Sequence, residues 1–254
     1  MCRRNGCIRM KARTTKTPAD ALPMAVQSTD LQVLESLGRA QLHAHATRYY
    51  KSGGQTEPEV ALVVYGDACA VLKDYARTPG WFGRLIAPVL IWREASALRR
   101  LEGIVGVPRL YRQLDARGVL IEYLPATPWP QAKPAEAAYR RLDELVEQMH
   151  ARGVAHCDLR APSNMLVDEG GQPYIVDFVA RVCRGRAWNL PWNWLFRQFV
   201  GADESALAKL RVRFAPQLAS AEDRALLEER GPIERIARGI GERTRTIVRY
   251  FVGS

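Results

Sequence analysis

No apolar run in this chain is long enough to cross a bilayer. The longest candidate, Leu85 to Trp92, is short and lies between Arg84 and Arg93. Residues 1–24 carry positive charge but lack an apolar centre, which excludes a secretory signal of the usual form. Cysteine is scarce: Cys2, Cys7, Cys69, Cys157 and Cys183 are odd in number, scattered, and without zinc-ligand spacing. That excludes a disulfide framework and predicts a cytoplasmic protein with reduced thiols. Acidic residues are thin at both ends, where Arg3 to Lys16 and Arg235 to Arg249 dominate, and the formal net charge is +10. Such a balance suits an anionic partner or a solvated tail. No stacking motif or reading helix accompanies it, so nucleic acid is set aside. No internal repeat is visible.

What is present is an ordinary globular composition, 47% apolar and 25% charged, in a chain long enough for one large domain or two lobes. Residues 1–28 read as a disordered basic tail. Val60 to Tyr65 and Ala68 to Tyr75 predict a hairpin around Gly66-Asp67. Ile91, Ala95, Leu98 and Leu101 recur at helical spacing over 89–102, with Gly103 just past the end. Gly118 to Leu124 reads as a strand, and the Pro-rich stretch 125–134 as a linker. Leu142, Leu145, Val146 and Met149 stripe a helix over 135–152, stopped by Gly153. Two short strands, Asn164–Val167 and Pro173–Val176, flank a turn at 168–171, and the pattern beyond Ala202 is helical. The expectation is an α+β fold of two lobes, 29–124 and 135–254, joined by 125–134, with a ligand cleft between them.

The chemistry concentrates in His156-Cys157-Asp158-Leu159-Arg160-Ala161-Pro162-Ser163-Asn164 and in Asp177-Phe178-Val179. Phosphoryl transfer needs a carboxylate for the attacking hydroxyl's proton, oxygen ligands for Mg²⁺, and cations around the phosphates. Asp158 supplies the first, Asn164 and Asp177 the second, and Arg160 the third; hard oxygen ligands suit Mg²⁺. Asp177 follows the apolar run Tyr174-Ile175-Val176, where an unpaired carboxylate would be costly. His156 reads as a brace for the loop, and Cys157 has no reactive setting. Taken singly, Lys73 would be an ordinary strand lysine, Glu94 a solvated helix residue and Asp158 a turn residue.

In order along the chain these pieces resemble the protein-kinase-like superfamily, whose catalytic loop reads H-R-D-L-x-x-x-N and whose metal motif is D-F-G. The resemblance covers about residues 47 to 182. It implies ATP and Mg²⁺ as cofactors, with Lys73 of Val71-Leu72-Lys73 gripping phosphates and Glu94 of Arg93-Glu94 pairing with it. Glu122 and Leu124 of Ile121-Glu122-Tyr123-Leu124 would be the hinge that meets adenine, and Met149 to Val154 the lead into the catalytic loop. Gly53 and Gly54 would form the phosphate loop. Three departures stand out: one extra residue separates Asp158 from Asn164 and places Ser163 at the nominal asparagine offset, the glycine loop is short, and Val179 stands for a glycine that tolerates φ > 0. No activation segment follows, a feature shared with RIO kinases and bacterial lipopolysaccharide-core kinases.

The resemblance thus implies a kinase transferring the γ-phosphate to a protein serine or threonine or to a lipopolysaccharide-precursor sugar, the latter at the inner membrane face. The other reading is a pseudokinase that binds nucleotide or a partner without turnover. The aromatic cluster Trp81, Phe82, Trp188, Trp192, Trp194, Phe196 and Phe199 is expected to fill the core. As surface beside arginines it would suit a lipid interface.

Overall fold

A computed structural model describes residues 29–228. The basic tail expected over 1–28, the arginines from 235 to 249, and Cys2 and Cys7 lie outside the described residues. The N-lobe is built on an antiparallel sheet of five strands in the order β1-β2-β3-β5-β4. These are β1 (Ala46–Ser52), β2 (Glu59–Tyr65), β3 (Ala68–Asp74), β4 (Leu110–Asp115) and β5 (Gly118–Glu122). The expected β2–β3 hairpin forms in full register from Glu59↔Asp74 to Tyr65↔Ala68. Its turn needs glycine: Gly66 has φ +55, and a Cβ there would sit 2.2 Å from a carboxylate oxygen of Asp30.

Alternation along β2 and β3 gives the sheet two faces. One face carries Val63, Ala68, Ala70 and Leu72, which are buried with Leu34 and Leu42. Those leucines come from α1 (Thr29–Ser36) and α2 (Arg39–Ala44), two helices that the sequence pattern did not announce because each is too short to show a period. The other face presents Val71 and Lys73 toward α3 (Ala87–Arg100) and the cleft. A single π turn, Phe82–Ile86, leads into α3, so the helical run begins earlier than residue 89. Gly83 inside that turn has no room for a side chain, because a Cβ would meet the Thr78 carbonyl at 2.1 Å. Ile91, Glu94, Ala95 and Leu98 form the buried face of α3.

The segment 125–134 is not a bare linker. It holds β6 (Thr127–Pro128), which pairs with β8 (Met165–Val167), and α4 (Trp129–Ala132), whose Trp129 is 1% exposed in the core. Next comes α5 (Glu136–Ala151), burying Leu142, Leu145, Val146 and Met149 as the stripe required. Strand β7 (Val154–Ala155) pairs with β10 (Val182–Cys183), and β8 pairs with β9 (Pro173–Ile175). The long α6 (Leu190–Phe214) and the short α7 (Ala221–Glu228) close the described fold. One apolar core runs through both lobes, from Ile91 and Leu98 through Val119 and Ile121 to Leu145, Met149 and Phe178.

The helical pattern expected beyond Ala202 is present in α6 and α7, but α6 already starts twelve residues before Ala202, its Asn189 cap accepting the Trp192 N–H. The expectation of an aromatic core holds only in part: Phe196 is buried and Phe82 packs against the core, but Trp188, Trp192, Trp194 and Trp81 are 75%, 42%, 55% and 52% exposed. In α6 the first buried residue is Phe196, and burial resumes from Asp203 onward.

Candidate functional site

The cleft between the lobes is lined from above by β3 and α3. Lys73, on the cleft face of β3, donates to Glu94 Oε1 at 2.5 Å and to Asp177 Oδ1 at 3.3 Å. The helical period places Glu94 on the buried face of α3, where its side chain is 2% exposed. Burial opposes the Lys73 charge, but the two carboxylates outweigh it and hold the ammonium protonated. Burial pushes the Glu94 carboxyl up against the pull of Lys73. Burial would push Asp177 up too, yet Lys73 holds it below the usual carboxylate range. Lys51 lies on β1, beside the turn that carries Gly53 and Gly54. Gly53 has φ +78 and Gly54 N–H bonds the Glu57 carbonyl at 3.1 Å.

Asp177 itself takes the left-handed conformation, φ 68 and ψ 65, and residues 178–180 follow as a 3₁₀ turn. The positive φ therefore falls on the aspartate, not on residue 179, so a valine there needs no unusual backbone. This corrects the inference drawn from the missing glycine. The turn is tied to α3 by a reciprocal pair of arginines. Arg93 donates to the carbonyls of Val179 (2.7 Å) and Arg181, while Arg181 Nε donates back to the Arg93 carbonyl at 2.9 Å and its Nη2 to Ser96.

The lower half of the cleft is the loop between β7 and β8. Asn164 sits in a 3₁₀ turn (Pro162–Asn164) and donates through Nδ2 to Asp158 Oδ2 and to the Asp158 carbonyl, both at 3.1 Å. Its Oδ1 is the amide oxygen that a metal could take. Ser163, at the nominal offset, is exposed; the extra residue is absorbed by the Pro162 turn. The Asn164 carbonyl accepts the Val176 N–H at 2.9 Å, which fixes the loop against the strand leading to Asp177. Arg160 is exposed beyond Asp158. His156 is held neutral by burial, despite nearby carboxylates. Its Nε2 faces the Val176 carbonyl at 3.0 Å and its Nδ1 accepts the Asp158 N–H at 3.3 Å. That is a brace, as its setting in the sequence suggested. Burial drives the Cys157 thiol far up, leaving it inert.

Sequence reading missed Asp203. From α6, buried to 1% exposure, its carboxylate accepts the N–H of His156 at 2.7 Å and of Cys157 at 2.8 Å. It also meets His150 Nε2 at 3.1 Å. Cys157 has φ +69, a strained position for a non-glycine residue, and the Asp203 bonds hold it there. The available signal was a carboxylate one turn from Phe199-Val200 and three residues before Ala206-Leu207, a position that demands partners.

At the hinge, the Glu122 carboxylate turns to the Arg109 N–H at 2.9 Å, and the Leu124 carbonyl accepts the Ala126 N–H at 2.8 Å. Adenine recognition would thus fall to the remaining backbone groups of 122–124. The donor set fits Mg²⁺: one carboxylate, Asp177, with a 44% exposed side chain, and one amide oxygen, Asn164, leave the other positions to phosphates and water.

No family model matches the chain. A curated relative, CBL-interacting protein kinase 4 of Oryza sativa subsp. japonica, is 36% identical over 131 residues, 46% of this chain and 28% of that protein. Among solved structures, the Rio2 kinase of Chaetomium thermophilum aligns in two forms, each with a TM-score of 0.52. The ADP/Mg²⁺-phosphoaspartate complex is 18% identical, covering 73% of this chain and 64% of that one. The other form is 16% identical and covers 74% and 64%. The chain thus spans less than two thirds of the length of each of these proteins.

Proposed function

The chain has the protein-kinase-like fold with similarity of the RIO type, and on that premise we propose that it is an ATP- and Mg²⁺-dependent phosphotransferase. The observation that carries this reading is the closure of Lys73, Glu94 and Asp177 within 3.3 Å, with the Asp158–Asn164 pair at 3.1 Å across the cleft. A module that only binds nucleotide has no need of a carboxylate oriented as Asp158 is. In the proposed reaction Asp158 orients the acceptor hydroxyl and takes its proton as the new O–P bond forms and the bond to the leaving ADP breaks. Lys73 holds the phosphates, and Arg160 faces charge at the acceptor side. Bound Mg²⁺ would neutralise phosphate charge beside Asn164 and Asp177; that the Rio2 kinase was solved as an ADP/Mg²⁺-phosphoaspartate complex supports nucleotide and Mg²⁺ as the cofactor pair.

The acceptor we favour is a protein serine or threonine, since the curated relative is a protein kinase. A sugar hydroxyl of a lipopolysaccharide precursor, met at the inner membrane face by a cytoplasmic enzyme, is the second reading, favoured by the exposed tryptophans. The Arg93–Arg181 exchange keeps α3 docked with Glu94 inward, so activity should not depend on prior phosphorylation; phosphatase treatment should leave it unchanged.

The test is transfer of labelled γ-phosphate to protein and membrane fractions, alongside thermal protection by ATP with Mg²⁺. Ligand that binds only the folded state raises its apparent stability. Wild type should be protected and should label an acceptor; Lys73→Met and Asp177→Ala should do neither. Protection without labelling on any acceptor would leave the pseudokinase reading, and equal protection of all three proteins would end the cleft assignment.

A further inference from the structure

Among the described residues most of the large apolar side chains left in water fall in two groups, with Tyr49, Tyr50, Val105 and Leu226 lying elsewhere. Trp81, Leu85, Val89 and Trp92 are 52%, 66%, 49% and 57% exposed, and their spacing of four, four and three residues puts them along one face of the helical run that ends α3. The opposite face of that helix, with Ile91, Glu94, Ala95 and Leu98, is the one buried against the cleft. A second group sits at the start of α6, where Trp188, Leu190 and Trp194 are 75%, 70% and 55% exposed. The two groups are continuous through β10 and the residues before it. The Arg181 guanidinium lies 5.4 Å over the Trp92 ring, and Trp192 donates its indole N–H to the Cys183 carbonyl at 2.9 Å.

The same two stretches carry charge of one sign. No Asp or Glu occurs between Asp74 and Glu94, or between Asp177 and Asp203. Within those intervals stand Arg77, Arg84, Arg93, Arg181, Arg184, Arg186 and Arg197; Arg84, Arg184, Arg186 and Arg197 are exposed. We infer that this face, running from the outer side of α3 across β10 to the first turns of α6, docks on a bilayer with anionic headgroups. Indole rings with an apolar body and one N–H partition to the headgroup boundary, and arginines beside them are drawn to a negative leaflet. A second copy of the chain does not fit, because a two-fold contact would set arginines against arginines. The face adjoins the site: β10 follows Asp177-Phe178 and pairs with β7, which leads into Asp158. Docking would therefore hold the cleft beside the bilayer surface.

Vesicle binding by the full chain tests this without reading catalysis, so it stands or falls independently of phosphotransfer. The wild type should sediment with vesicles of equal parts phosphatidylcholine and phosphatidylglycerol and much less with phosphatidylcholine alone. Binding should fall as salt rises from about 0.1 M to about 1 M, which shortens the screening length from roughly 10 Å to roughly 3 Å. Brominated phosphatidylglycerol should quench tryptophan fluorescence of the unaltered protein. The variant with Trp81→Ser, Leu85→Ser, Trp188→Ser and Trp194→Ser should keep its melting temperature, since all four side chains are exposed, and lose at least about tenfold in affinity. Arg84→Gln with Arg186→Gln and Arg197→Gln should weaken binding to the anionic vesicles alone. Absence of quenching, or equal vesicle binding by the serine variant, would overturn the inference and move any attraction to basic residues elsewhere. So would a dimer, or a complex with an acidic protein, that the serine variant abolishes while vesicles bind neither form.

Discussion

The two walls of the cleft are held by different forces. From the upper wall, Lys73 holds Glu94 and, across the cleft, Asp177 by charge, over 21 and 104 residues of sequence. On the lower wall, Asp158 and Asn164 sit on a loop whose backbone is hung from one buried carboxylate, Asp203, and from neutral His156. An ion triad fails when any member is neutralised. The loop hangs from several amide donors, two of them on the one Asp203 carboxylate and another on His156 Nδ1, so its anchor does not depend on a cation. The difference teaches that loss of nucleotide grip and loss of catalytic geometry should be separable in this protein.

The largest effect expected is on turnover. Asp158→Asn keeps shape and the Asn164 contact but removes the proton acceptor, so kcat should fall by about 10²–10⁴ while nucleotide protection stays at the wild-type level. Equal turnover in the two proteins would remove Asp158 from its role.

Next comes the support of the same wall. Asp203→Ala orphans two buried N–H groups, each costing roughly 1–3 kcal/mol, and relaxes the strained Cys157. Urea unfolding should register the loss, and kcat should drop with the nucleotide Kd little changed. A variant that unfolds no earlier and turns over normally would show that the loop holds itself.

The upper wall should answer to pH. Lys73→Met leaves Glu94 buried without its partner, a loss of roughly 3–5 kcal/mol at neutral pH. Burial raises the folded-state pKa of Glu94 above the unfolded value of about 4.3, so its penalty grows as pH rises through that window and vanishes below it. Asp177 works in the same direction. Lys73 depresses it in the wild type, a contribution present above about pH 4, lost on acidification, and absent from the variant at any pH. The stability gap between wild type and variant should therefore be wide near pH 7 and narrow toward pH 4 by denaturant titration. A gap constant with pH would mean that charge does not hold this wall.

The smallest effect sharpens the assignment of the metal-side residue. Ser163→Ala, at an exposed position, should leave turnover unchanged, whereas Asn164→Ala should lower it and weaken the dependence on Mg²⁺. The reverse result would transfer the ligand to Ser163.

Much of this was legible beforehand because the signals are local. Alternation in β2 and β3 and the period-3.6 stripe of α5 state which residues are buried, and burial patterns follow from spacing alone. Lys73, Glu94, Asp158, Asn164 and Asp177 were likewise picked out, though by their order along the chain and its resemblance to the protein-kinase-like pattern, since singly Lys73, Glu94 and Asp158 read as ordinary residues. Harder were α1 and α2, too short to show a period, and Asp203, whose meaning depends on two amide groups 46 and 47 residues away. The tryptophans were misread for a related reason. Hydrophobicity says that an indole prefers burial, but no residue of α6 before Phe196 is buried, and Trp188, Trp192 and Trp194 stay exposed.

The sequence by itself therefore determined which side chains are candidates for phosphoryl chemistry and most of the elements that carry them, because motif order and periodicity are properties of neighbours in the chain. Only the tertiary structure decided that the positive φ falls on Asp177 rather than residue 179, that Asn164 rather than Ser163 meets Asp158, and that one face of α3 is left in water. Those outcomes come from packing and hydrogen bonding between distant segments, where the energy of a conformation depends on partners that no local window contains.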